Sequence, residues 1–124
     1  MAANFDNATM YASPGLYAMC TTEKPIIAFA TIVDDTETTV ICKEEEIPAG
    51  ALKVEKGWKL LTLDITFDHN TTGICGAIGT ALGDAGVSVM PLSAFSRDHF
   101  LVKEEKMDVA KEALKTIGIT LQQR

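Results

Sequence analysis

Leu61-Thr62-Leu63-Asp64-Ile65-Thr66-Phe67-Asp68-His69-Asn70-Thr71-Thr72-Gly73-Ile74-Cys75-Gly76-Ala77-Ile78-Gly79-Thr80-Ala81-Leu82-Gly83-Asp84-Ala85-Gly86 is the stretch on which the fold turns. Its first half alternates, with Leu61, Leu63, Ile65 and Phe67 on one side and Thr62, Asp64 and Thr66 on the other. Its second half places Ile74, Ala77, Ile78, Ala81, Leu82 and Ala85 at helical spacing. A period of two giving way to 3.6 across one polar turn is a strand entering a helix. The turn Asp68 to Gly73 opens the helix N-terminus, where free backbone N–H groups attract anions. Gly86 supplies a left-handed C-cap.

Working outward, the C-terminal half reads as a complete unit. A strand over Lys59 to Phe67 leads to a helix from about Gly73 to Ala85, then to a strand over Val87 to Phe95. Ser96-Arg97-Asp98 forms a turn, and His99 to Lys103 returns as a third strand. A second helix, Glu105 to Ile117, buries Met107, Ala110, Ala113, Leu114 and Ile117, and Ile119 to Leu121 closes the unit. The order strand-helix-strand-strand-helix-strand is the split ferredoxin-like βαββαβ motif of an α+β fold. Alternating directions put the turn after the first strand and the 96–98 hairpin at one end of the sheet. Asp68 to Gly73 and Phe95 to His99 are therefore expected to be neighbours.

The N-terminal half is β-rich. Leu16 to Thr22 and Ile26 to Val33 read as strands, and Asp34 to Glu37 turns the chain into Thr38 to Cys42. Lys43 to Leu52 suits a short helix, and Lys53 to Gly57 a linker. Residues 1–10 read as a flexible leader, 11–57 as the N-terminal unit and 58–124 as the C-terminal domain.

Composition excludes several classes. The chain has 124 residues, of which 47% are hydrophobic and 23% charged, values of a globular protein. A net charge of -6 disfavours nucleic acid, which requires a basic face. No apolar run approaches the ~18 residues of a membrane helix. The first ten residues lack the basic and apolar regions of a signal peptide, so a cytoplasmic location is expected. Cys20, Cys42 and Cys75 are three cysteines without a close pair, which gives neither a zinc framework nor a disulfide scaffold. No metal, no cofactor and no catalytic constellation are expected, since paired carboxylates, phosphate cradles and nucleophile elbows are all missing from the sequence.

The segments Thr71-Thr72-Gly73-Ile74 and Leu82-Gly83-Asp84-Ala85-Gly86-Val87-Ser88-Val89 resemble the loop, first helix and second strand of an ACT domain. Pro14-Gly15-Leu16-Tyr17, Cys20-Thr21 and Asp98-His99-Phe100-Leu101-Val102 extend the resemblance to small proteins with two ACT-like units, over roughly Tyr11 to Ile119. In the N-terminal unit no first helix is visible between Thr21 and Ile26, so that copy reads as a reduced ACT-like unit packed on the complete one. The resemblance implies a non-catalytic regulatory module that binds a free amino acid or similar carboxylate, usually between two units. The residues agree. Amides at Thr72-Gly73-Ile74 suit a carboxylate, Asp68 or Asn70 an ammonium group, and Phe95 and His99 a side-chain wall. Thr71 and Ser96 complete the candidate ligand-binding set, and Gly73 lets a ligand approach the backbone.

Plainer roles compete at each position. Asp68, Asn70, Thr71 and Thr72 equally suit a turn and N-cap, His99 a packing role and Asp98 a hairpin role. A ligand-free oligomerisation or adaptor module is the alternative function. Open sheet edges predict a homodimer or larger homo-oligomer. Gly76, Gly79 and Gly83 leave a smooth helix face on which the N-terminal unit or a second subunit is expected to pack.

Overall fold

The alternating and helical segments form ten regular elements in a computed structural model that describes residues 4–124. In chain order they are β1 (Ala8–Ala12), β2 (Tyr17–Thr22), β3 (Ala30–Val33), β4 (Thr38–Lys43), β5 (Val54–Leu63), α1 (Ile74–Asp84), β6 (Val89–Ser93), β7 (Asp98–Lys103), α2 (Met107–Lys115) and β8 (Ile119–Gln123). They belong to two units, one of the residues up to Pro14 together with Lys59–Arg124, the other Gly15–Trp58. The strand β5 contributes residues to both.

The first unit carries the expected ferredoxin-like split motif with one addition. Its strands stand in the order β8-β1-β5-β7-β6, so β1 occupies the place beside β5 that the closing strand would otherwise take. β1 runs antiparallel to β5, with Met10 opposite Leu63, and parallel to β8, with Met10 opposite Leu121. The alternation Ala8, Met10, Ala12 explains the insertion, because these side chains are 5%, 0% and 0% exposed and join the core. That core comprises Leu61, Leu63, Phe100 and Val102 from the sheet with Ile78, Leu82, Ala110 and Leu114 from α1 and α2. Residues 1–3 of the expected leader lie outside the described residues. The rest of it corrects the expectation, since Phe5 is buried and its ring meets Phe67 edge-on at 6.1 Å.

Helix ends follow local chemistry. The N–H of Gly86 donates to the carbonyl of Gly83 and that of Val87 to the carbonyl of Leu82, the paired bonds of a Schellman cap. Gly86 adopts φ +80° there, a conformation that costs other L-residues about 1–2 kcal/mol. The glycine face of α1 is open: a Cβ added at Gly76, Gly79 or Gly83 would meet nothing within 4 Å among the described residues.

The second unit is a sheet in the order β3-β4-β2-β5, and its described residues include no α-helix. A short 3-10 turn at Glu44–Glu46 stands where a helix over Lys43 to Leu52 was expected. Lys53 to Gly57 is not a linker, since β5 runs unbroken from Val54. The boundary therefore falls at Trp58/Lys59 and at Pro14/Gly15, not at 57/58 and 10/11. The glycine that suggested a linker sits in a bulge: Tyr17 pairs with Trp58 but Met19 with Glu55. Gly57 has φ +88° in this bulge, and its N–H donates to Glu44 Oε2 at 2.8 Å. Only Ala30–Val33 of the apolar run Ile26 to Val33 is strand.

The two units repeat one another at an offset of about sixty residues. β3, β4 and the turn Glu44–Glu46 correspond to β6, β7 and the turn Glu104–Lys106. Both hairpins close with the same bond, Asp34 N–H to Glu37 carbonyl and Ala94 N–H to Arg97 carbonyl.

Candidate functional site

Strand alternation carries past the end of β5, so Ile65 and Phe67 point to the same side as Leu61 and Leu63. Beyond them the chain reverses. Asp68 Oδ1 accepts the Asn70 N–H at 2.7 Å, and the Asp68 carbonyl accepts that of Thr71 at 2.9 Å, an Asx-stabilised turn. Gly73 then takes φ +82° as the N-cap of α1 and, being glycine, makes no side-chain cap bond. The turn role foreseen for Asp68 is therefore real, and the N-cap position itself falls to Gly73. The first-turn amides of α1 have no intrahelical acceptor, and the helix dipole adds positive potential there.

The hairpin between β6 and β7 stands against this turn, as the topology requires. His69 Nε2 donates to the Phe95 carbonyl at 2.8 Å, and the two rings meet edge-on at 4.8 Å. That bond fixes the proton on Nε2, since a carbonyl only accepts. Between the two loops lies a hollow of about 320 Å³ lined by Ile65, Phe67, Asp68, His69, Thr71, Ile74, Cys75, Ser93, Ala94, Phe95, Ser96, Arg97 and Asp98. Cys75 Sγ and Ser93 Oγ are 3.6 Å apart in its wall. Arg97 Nη2 lies 3.3 Å from Asp64 Oδ1, with both side chains about half exposed. Apolar walls with a few convergent polar groups, at this volume, are the usual form of a small-molecule site.

Of the nine candidate residues, Asp68, Thr71, Ile74, Phe95 and Ser96 line the hollow. Asn70, Thr72 and Gly73 stand in the turn beside it without lining it. His99 points elsewhere. Its neighbour Asp98 lines the hollow and its neighbour Phe100 joins the core, so strand pleating turns His99 to the opposite face. There its Nδ1 and Thr62 Oγ1 are 2.8 Å apart. Burial, foremost, holds its pKa below the ordinary value, with Asp98 opposing and Arg97 assisting. The candidate set omitted Ile65, Phe67, His69, Cys75, Ser93, Ala94, Arg97 and Asp98. The alternation at Ile65 and Phe67 was the available signal for the first two. For Cys75 it was the place at the helix start.

The other thiols offer no such access. Cys20 and Cys42 are 2% and 3% exposed, and burial, followed by the neighbouring Cys20, pushes the Cys42 thiol up to about 11. Among the described residues no group of three or more His, Cys, Asp or Glu could hold a metal ion, and no helix is long and apolar enough to cross a membrane.

Comparison with known proteins gives a consistent picture. The family model described as ACT domain matches residues 53–116. A structural-genomics protein from Agobacterium tumefaciens superposes with a TM-score of 0.83 at 21% identity, over 95% of this chain and 94% of that one. A protein from Vibrio cholerae described as of unknown function and a possible transport protein gives 0.76 at 23%, over 90% and 91%. The ligand-free regulatory subunit of aspartate kinase from Thermus thermophilus gives 0.63 at 8%, over 87% and 95%. At these identities the likeness is one of fold. No curated protein sequence matches the chain.

Proposed function

The chain belongs to the ACT-domain family, and from that premise we propose that it is a non-catalytic regulatory module that binds a free amino acid. One observation supports this reading most directly: the hollow beside the start of α1, with Asp68 in its wall. The first-turn amides suit a carboxylate, the Asp68 carboxylate suits an ammonium group, and Ile65, Phe67 and Phe95 offer an apolar wall. These are the three demands of an amino acid. The reading also draws on the fold it shares with a regulatory subunit of aspartate kinase.

Two measurements test it together. A ligand of the native state raises the melting temperature by mass action, so a screen of the twenty amino acids should give at least one shift, which Asp68→Ala reduces. The same ligand should slow alkylation of Cys75 by iodoacetamide, because that thiol lines the hollow. A flat screen with unaltered Cys75 reactivity would reject the proposal.

The adaptor alternative has its own support in the second unit. β3 is the edge strand of that unit's sheet, and Ile26 to Val33 contains no charge. Ile27, Ile32 and Val33 are 102%, 47% and 62% exposed. Natural edges are usually blunted by charge or proline. Self-association through this edge predicts a homodimer mass by light scattering that Ile32→Lys converts to monomer; a parent of monomer mass would remove this reading.

A further inference from the structure

The charges around the hollow do not balance. Asp68 and Asp98 stand in its wall against one cation, Arg97. That guanidinium lies 3.3 Å from Asp64, a carboxylate outside the lining. An exposed pair of this kind is weak as a stabilising contact, but its charges still count in the local field. With Asp64 included, three carboxylates face one guanidinium, so the rim of the hollow is negative. An incoming carboxylate finds favourable amides only at the start of α1, and a second one would meet Asp68 and Asp98.

We propose that the hollow sorts ligands by charge, admitting amino acids with uncharged or basic side chains and rejecting acidic ones, and that Asp64 sets this preference by occupying Arg97. This rests on the hollow being the ligand site. Asp64 is a positioning residue: it touches Arg97, and Arg97 lines the hollow. Asp64→Asn keeps the side-chain shape and leaves untouched the backbone bond from the Asp64 N–H to the Thr9 carbonyl at 2.9 Å. It removes one negative charge and releases Arg97 toward the hollow. Acidic ligands should then gain entry.

Cys75 makes the field measurable without any ligand. It lines the hollow, whereas Cys20 and Cys42 are buried. The rates of modification by a cationic and an anionic methanethiosulfonate are measured, and Cys75→Ser identifies the phase belonging to this thiol. Their ratio is compared with that for 2-mercaptoethanol under the same conditions. The cationic reagent should be favoured by about threefold or more at low salt, and the preference should collapse in 1 M salt. Asp64→Asn should reduce it, whereas mere loosening of the fold speeds both reagents alike. A normalised ratio of one in the parent, or an unchanged ratio in Asp64→Asn, overturns the proposal. In the thermal-shift screen, stabilisation of the parent by aspartate or glutamate also overturns it while leaving an amino-acid site standing. Silence from all twenty amino acids instead removes the ligand reading, and the reagent ratio still decides the sign of the field. A gain of aspartate or glutamate binding in Asp64→Asn supports the assignment.

Discussion

At the residue scale, His99 shows how one step along a strand decides a role. Its sequence neighbour Asp98 lines the hollow, and pleating sends His99 to the other face, where it meets Thr62. The sequence placed His99 near the right hairpin, because proximity follows from topology. It did not reveal the face, because only the observed span of β7 fixes the phase of alternation. His69, by contrast, was legible as part of the turn but not as the partner of Phe95, a contact 26 residues away. The burial of His99 has a consequence for stability. Its folded pKa is lowered from the ordinary 6.5, so the unfolded chain takes up the proton first as pH falls. The contribution of this group is fully present above about pH 6.5 and is lost as pH drops through the lower folded value. The melting temperature should therefore fall less steeply between pH 7.5 and 5.5 in His99→Gln than in the parent. Equal slopes would show that burial of His99 has no such effect.

At the element scale, α1 and its two ends carry two kinds of glycine that composition cannot separate. Gly73 and Gly86 bracket the helix at φ +82° and +80°, where glycine is needed for the backbone turn. Gly76, Gly79 and Gly83 lie within the helix, and nothing approaches the place of a Cβ. The sequence suggested a close-packed face from their spacing, but spacing shows only that a face is smooth. Substitution distinguishes the cases. Gly79→Ala should stabilise by about 1 kcal/mol through helix propensity and restriction of the unfolded chain. Gly73→Ala should destabilise by roughly 1 kcal/mol, because it forces a Cβ into the left-handed region. Urea unfolding of the two variants reads both signs. If Gly79→Ala is destabilising in solution, another backbone covers that face, as a second copy would. The hairpin elements carried a clearer signal. Lys43-Glu44-Glu45 and Lys103-Glu104-Glu105 recur at an offset of sixty, and each begins as its strand ends. That repeat was readable from the sequence and gives the register between β3–β4 and β6–β7.

At the scale of the whole molecule, the least legible feature is the use made of the N-terminus. Polar Asn4, Asp6 and Asn7 give residues 1–10 the look of a solvated leader, and local pattern cannot show which sheet a short strand will join. The alternation Ala8, Met10, Ala12 spans only five residues, and two of its three apolar positions are alanine. Tertiary placement decides the outcome: β1 lies between β5 and β8 and is paired on both edges. Every pairing of β8 with the rest of its sheet therefore passes through β1. The hollow depends on the same segment, since Phe5 packs on Phe67, which lines it. Met10→Ala removes a fully buried side chain and should cost about 2–5 kcal/mol, comparable to the whole stability of a small domain. Phe5→Ala is the subtler variant. It leaves β1 paired but takes away one neighbour of Phe67, so it should weaken ligand stabilisation or change Cys75 reactivity more than it lowers the melting temperature. A leader without structural function would leave urea unfolding the same in both variants and the parent. Unfolding midpoints that fall in Met10→Ala, with Cys75 reactivity altered in Phe5→Ala, would show that one short strand secures both the sheet and the wall of the hollow.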